Sequence, residues 1–178
     1  WEDWSGREIY GETVRNYIQN AQDRNMVSMA YNMIYAGTDS FVKDVSGNPT
    51  KAADWQIYFA PENERGEGMF TFKMGASPSG NGNLFFMNPL NADWQDYIFS
   101  QEKHALDVLG FDGWHGDTVG DWGKMVDGFG NPLGNSEDGQ PIYEVKDTYR
   151  QFLNAAKEAL EGYYLSFNPV GARGIEQA

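Results

Sequence analysis

Three apolar runs in this chain each follow a segment of helical periodicity, and that order constrains the fold more than any other feature. Residues 11–23 place Val14, Tyr17, Ile18 and Ala21 at helical spacing, and the almost continuously apolar run 26–35 comes next. A run of that kind, closed by Ala36-Gly37, reads as a parallel strand buried on both sides, with Tyr31 and Asn32 near its end. A helix is predicted from Asn91, a suitable cap, to Leu109, with Gly110 as its stop. The run from Gly110 to Asp121 follows it. Tyr149, Phe152, Leu153, Ala156 and Leu160 mark a last helix over 145–161, and residues 163–167 read as a strand that ends in Asn168-Pro-Val-Gly171. Helix then strand, repeated, describes parallel α/β units. Pattern alone leaves an open doubly wound sheet and a closed barrel both standing. No G-x-G-x-x-G or Walker loop follows any of these strands, so a nucleotide-binding version has no support.

The connections are unequal. Residues 38–88 read as a long decorated loop with small strands near 55–60, 69–72 and 84–87, and connections of that length in compact domains usually carry function. Glu62, Glu64 and Glu67 lie within it without calcium-loop spacing, so they are read as a solvated face, and no metal or cofactor is expected. Residues 121–141 are rich in Gly and Asp, with turn signals at Asp127-Gly128 and Asp138-Gly139. His104, beside Glu102 and Lys103, reads as a surface residue of its helix.

Chemistry concentrates in Gly110-Phe-Asp-Gly-Trp-His-Gly-Asp-Thr-Val-Gly-Asp121. Strand alternation puts Phe111, Gly113, His115 and Asp117 on one face and Asp112, Trp114 and Gly116 on the other. Glycines at 110, 113, 116 and 120 remove side chains where a backbone or a ring-shaped ligand comes close. A carboxylate beside an indole and an imidazole suits sugar chemistry. The competing reading is a turn whose Asp112, Asp117 and Asp121 are solvated or capping residues. Asp112, on the face opposite Asp117, is expected to bond to backbone or to a neighbouring strand.

The formal net charge of −13 disfavours nucleic acid and anionic membranes as partners, whereas a neutral sugar is compatible with it. Zero cysteines exclude disulfides and thiolate metal sites. No apolar run approaches the roughly 20 residues of a membrane helix.

The stretch from Phe111 to Asp121 resembles the nucleophile strand of glycoside hydrolase family 66, the dextranases and cycloisomaltooligosaccharide glucanotransferases. Three further stretches fit the same family in the same order: Met29-Ala-Tyr-Asn-Met-Ile-Tyr35, Met87-Asn-Pro-Leu-Asn-Ala-Asp-Trp-Gln-Asp-Tyr97 and Ser166-Phe-Asn-Pro-Val-Gly171. Together they span nearly the whole chain. The resemblance implies α/β architecture as a partial (β/α)8 TIM barrel, made of central β/α units with long decorated loops. Active sites of such barrels gather at the C-terminal strand ends, where Tyr31, Asn32, His115, Asp117 and Asn168 fall.

The resemblance further implies a retaining enzyme that acts on α-1,6-glucan through a covalent glycosyl-aspartate, with Asp117 as nucleophile. Its acid/base partner is a Glu expected beyond Ala178. Glu176 lies too close to the strand end for that role, and Glu144 has no matching motif. Tyr31, Asn32, Trp114, His115, Asp121 and Asn168 are the expected substrate-binding residues. Tyr35 and Trp122 are also stacking candidates, read preferentially as core or rim. An endo-dextranase is the leading expectation, with the cyclising glucanotransferase or a non-catalytic glucan-binding barrel as alternatives. A complete barrel takes roughly 250 residues, so residues 1–178 are expected to be one segment truncated at both ends, inactive alone, from a secreted or cell-surface protein.

Overall fold

The computed structural model describes residues 11–59, 71–73 and 83–170. Helix α1 (Gly11–Gln22) leads to strand β1 (Met29–Met33), and the connection that follows carries β2 (Ala36–Thr38), the single turn α2 (Asp39–Val42), a 3₁₀ turn (Lys51–Trp55), β3 (Ile57–Phe59), β4 (Thr71–Lys73) and β5 (Asn83–Phe86). Helix α3 (Ala92–Leu109) then feeds β6 (Gly113–Gly120). After β6 come β7 (Met125–Asp127), β8 (Gly134–Asn135), β9 (Pro141–Ile142), a 3₁₀ turn (Val145–Thr148), α4 (Tyr149–Ala159) and β10 (Tyr164–Val170).

Strands β1, β6 and β10 form a parallel sheet with β6 in the middle. The helix-strand alternation therefore gives the mixed α/β arrangement it predicts. The long connection folds into small antiparallel pieces, β2-β5-β4 and β3-β7, and β7 belongs to the loop after β6. The loops after β1 and β6 are thus stitched to each other. Glu62, Glu64, Glu67, residues 69 and 70, and Glu176 lie outside the described residues. Among the described residues no helix is long and apolar enough to cross a membrane.

Helix α3 forms where its local signals place it. Asn91 Oδ1 accepts the Trp94 N–H at 3.0 Å, and Gly110, at φ 85°, supplies the left-handed stop. Its apolar side buries Trp94, Ile98, Phe99 and Leu106. Helix α4 buries Tyr149, Phe152, Leu153 and Ala156, and its first turn is 3₁₀ rather than α. Between these helices and the sheet lies Trp114, fully buried, edge-on to Phe99 and Phe152 at centroid distances of 6.4 Å.

Two expectations are corrected. Strand β1 is not buried on both sides, because it is an edge of the described sheet and Tyr31 is 64% exposed on the face away from α3 and α4. Strand β10 does not stop before Asn168, but runs through Pro169 to Val170. Its pairing to β6 resumes beyond a bulge in that strand. Phe167 pairs with Gly116 but Pro169 with Val119, so Asp117 and Thr118 together oppose the single residue Asn168. Pro169 sits directly beside this irregularity, a position where a strand tolerates a residue without a ladder donor. Thr118 sits at φ 65°, a left-handed conformation that costs a β-branched residue about 1–3 kcal/mol.

Candidate active site

Parallel pairing in register brings residues of three strands to one spot. Tyr31 of β1 and Ser166 of β10 both pair with His115, and alternation carries Asp117 and Asn168 to the same face two residues further on. There the Asp117 carboxylate takes three donors. Asn168 Nδ2 and the Thr118 N–H, each at 2.7 Å, donate to Oδ1, and the Tyr31 hydroxyl donates to Oδ2. His115 Nδ1 shares a hydrogen bond of 2.8 Å with Ser166 Oγ, and its ring lies nearly parallel to that of Tyr31, 6.0 Å between centroids.

Glycine at 113 is required by that sheet geometry. A Cβ there would come within 2.1 Å of the Tyr164 carbonyl oxygen, so no larger residue lets β10 approach β6. The close neighbour at this position is therefore a strand backbone rather than a ligand.

Burial alone pushes the Asp117 carboxyl up, but the hydrogen bonds from Tyr31, Asn168 and the Thr118 N–H, with the charge of His115, outweigh it and hold the group below the usual carboxylate range. The same bond to Asp117, reinforced by burial and by the carboxylate's charge, drives the Tyr31 phenol up to about 12. At neutral pH the pair is thus an ionised carboxylate and a neutral phenol. Such a carboxylate is suited to attack or to charge stabilisation and unsuited to donate a proton.

Of the residues expected at a sugar site, Tyr31, His115, Asp117 and Asn168 are brought together. Trp114 and Asn32 are not, which corrects both expectations. Trp114 points to the opposite face, and its indole is sealed between α3 and α4 with no surface left for a substrate. Asn32 follows Tyr31 and so also faces the helices, where its Nδ2 donates to Glu102 Oε1 at 2.8 Å. Glu102 is buried, and burial raises its carboxyl above the usual range against the lowering effect of Asn32.

Asp121 follows the end of β6. It takes Lys146 Nζ at 3.3 Å on Oδ2 and the Gly123 N–H at 3.2 Å on Oδ1. Asp112 bonds as expected, accepting the Ser28 N–H at 2.7 Å and Gln22 Nε2 at 3.0 Å. His104 is exposed on α3. Tyr35 is fully buried, edge-on to Phe86 and Trp122, which is the core position expected of it.

Two contributors escaped the sequence reading. Ser166 lies two residues before Asn168, and alternation from Asn168 would have placed it beside the site. Thr118 carried no signal, since nothing in its surroundings marks a left-handed threonine. Among the described residues no group of His, Asp and Glu side chains forms a metal site.

The chain matches the model of Glycosyl hydrolase family 66 over residues 1–178. It is 34% identical to a dextranase from Streptococcus salivarius over 171 residues, 96% of this chain and 19% of that protein. It is also 30% identical to a cycloisomaltooligosaccharide glucanotransferase from Niallia circulans over 160 residues, 90% of this chain and 14% of that protein. The solved structure of a cycloisomaltooligosaccharide glucanotransferase from Paenibacillus sp., complexed with cycloisomaltoheptaose, superposes with a TM-score of 0.72 at 28% identity, covering 95% of this chain and 22% of that one. The chain thus spans less than a quarter of the length of each of these relatives.

Proposed function

The chain belongs to glycosyl hydrolase family 66, and on that premise we propose that Asp117 is the nucleophile of a retaining enzyme that cleaves α-1,6-glucan. The observation that carries this reading is the set of three donors on the Asp117 carboxylate, which keeps it ionised. Oδ1 has both lone pairs engaged, by Asn168 and by the Thr118 N–H. Among the described residues Oδ2 receives only Tyr31, so its second lone pair is the one assigned to the attack.

In the first step Oδ2 bonds to the anomeric carbon while the glycosidic C–O bond breaks, and an acid protonates the departing oxygen. Among the described residues the hydrogen-bond partners of the Asp117 carboxylate are a phenol, an amide and a backbone N–H, and a phenol near 12 is a poor acid for a leaving group at neutral pH. On the family resemblance the acid is assigned to a Glu about 5 Å from Asp117 in the assembled site. In the second step that Glu, now a base, takes a proton from water, and the hydroxide oxygen displaces Asp117 from the sugar. Transfer to the sugar's own chain end in place of water gives the cyclising reaction, a reading supported by the glucanotransferase relatives.

Within this proposal β1, β6 and β10 are consecutive strands of a (β/α)8 barrel in a longer protein, with Tyr31, His115, Ser166 and Asn168 around the sugar. A polymeric glucan does not cross a membrane, so the enzyme is placed outside the cell or on its surface. The test is dextran cleavage by the full-length protein with and without Asp117→Asn. Loss of about four orders of magnitude in kcat is expected for a missing nucleophile, and unchanged cleavage would end the assignment. Linear products identify the hydrolase and cyclic isomaltooligosaccharides the transferase. Glucan bound but uncut by the unaltered protein would identify a binding protein.

A further inference from the structure

We propose that the left-handed bulge at Thr118, locked from behind by the Tyr35 hydroxyl and the Trp122 indole, is the device that aims the Asp117 carboxylate, and that Tyr35 is a positioning residue for it. This rests on the reading of Asp117 as nucleophile. Strand β1 pairs with β6 only as far as Met33 opposite Asp117, so beyond that point the Thr118 carbonyl has no strand on that side to satisfy it. The bulge at the same residue interrupts the ladder to β10.

Side chains replace the ladder. The Tyr35 hydroxyl donates to the Thr118 carbonyl oxygen, and Trp122 Nε1 donates to it at 3.4 Å. Two residues further along β6, the Tyr149 hydroxyl donates to the Gly120 carbonyl at 2.5 Å and accepts the Gly120 N–H at 3.2 Å. Tyr35 and Tyr149 are both fully buried. A β-branched residue leaves the left-handed region unless its surroundings hold it there.

What the held conformation achieves is visible at Asp117. With Thr118 left-handed, its N–H turns back onto Asp117 Oδ1 at 2.7 Å and its hydroxyl donates to the Asp117 carbonyl at 2.7 Å. The bulge leaves Asp117 and Thr118 together opposite Asn168, whose amide donates to Asp117 Oδ1 at 2.7 Å. Relaxation of Thr118 to an extended conformation would remove one donor from Oδ1 and rotate the carboxylate away from Asn168 and Tyr31. Tyr35 touches neither Asp117 nor a substrate, so its effect is on the geometry of attack and not on glucan binding.

The experiment compares Tyr35→Phe, Thr118→Gly and the double variant in the full-length protein, with kcat normalised to the folded fraction and Asp117→Asn as the reference for lost chemistry. Tyr35→Phe is expected to lower kcat by about 10- to 100-fold with KM nearly unchanged, since a misplaced reacting group costs on that scale. Glycine at 118 adopts the left-handed conformation without steric cost. Thr118→Gly in the Tyr35→Phe background should therefore recover most of the lost kcat, which a simple packing defect at Tyr35 would not allow. A Tyr35→Phe protein with unchanged kcat, or a double variant as slow as or slower than Tyr35→Phe alone, overturns the inference. If Asp117→Asn itself stays active, the nucleophile reading has failed; if Asp117→Asn is dead and Tyr35→Phe is not, only the positioning role has.

Discussion

At the scale of single residues, the site is a contest between desolvation and hydrogen bonding, and Asp117 shows hydrogen bonding winning. Three donors and a nearby imidazole hold the carboxyl low although burial opposes them. The sign of the consequence follows from linkage. A carboxyl held low stays ionised as pH falls, so the acid limb of kcat/KM lies below the ordinary aspartate value of about 3.9. Tyr31→Phe removes the donor on Oδ2, and the limb should move upward in pH. Activity at neutral pH should fall by about tenfold, the lower end for one charge-assisted hydrogen bond. A pH profile with an unmoved acid limb would show that Tyr31 does not tune Asp117. The residue scale is also where sequence reasoning was most exposed. Alternation already set Trp114 on the face opposite Asp117 and made it impossible for Tyr31 and Asn32 to share a face. An indole and an amide near a carboxylate suit sugar binding by their chemistry, but the structure sides with the geometry.

At the scale of elements, what was legible is what local signals determine. Asn91 and Gly110 bound α3 because a cap and a left-handed stop are chemical properties of those residues. The 3₁₀ turn before α4 and the run of β10 past Asn168 were not legible, since local periodicity carries no mark of a bulge in the neighbouring strand. One signal in the loops was available and unused. Asp44-Val-Ser-Gly-Asn48-Pro and Asp127-Gly-Phe-Gly-Asn131-Pro share one pattern, and in both the Asp side chain accepts the N–H two and four residues on while the Asn amide returns to it. Trp114 joins the elements, filling the space between β6, α3 and α4. Trp114→Ala should destabilise by about 3–5 kcal/mol in the unfolding transition, as for other buried aromatics. Trp114→Phe should cost clearly less, because the indole N–H is buried without a partner among the described residues and its removal relieves that burden. Equal losses for the two variants would contradict this account of the core.

At the scale of the whole molecule, three parallel strands deliver a phenol, a carboxylate with an imidazole, and an amide to one face, while the loops after β1 and β6 pair with each other through β3 and β7. The parallel architecture was readable from the order of periodicities. The proposed barrel was not, because an open sheet and a closed barrel share the same alternation of helix and strand. The central claim, that Asp117 forms a covalent bond to sugar, is tested most directly by quenching the full-length protein during turnover of an activated isomaltosyl substrate and mapping its peptides by mass. The predicted result is one glycosyl unit on the peptide bearing Asp117, absent from Asp117→Asn. A sugar on another residue, or an inverted product with no adduct, would contradict the account.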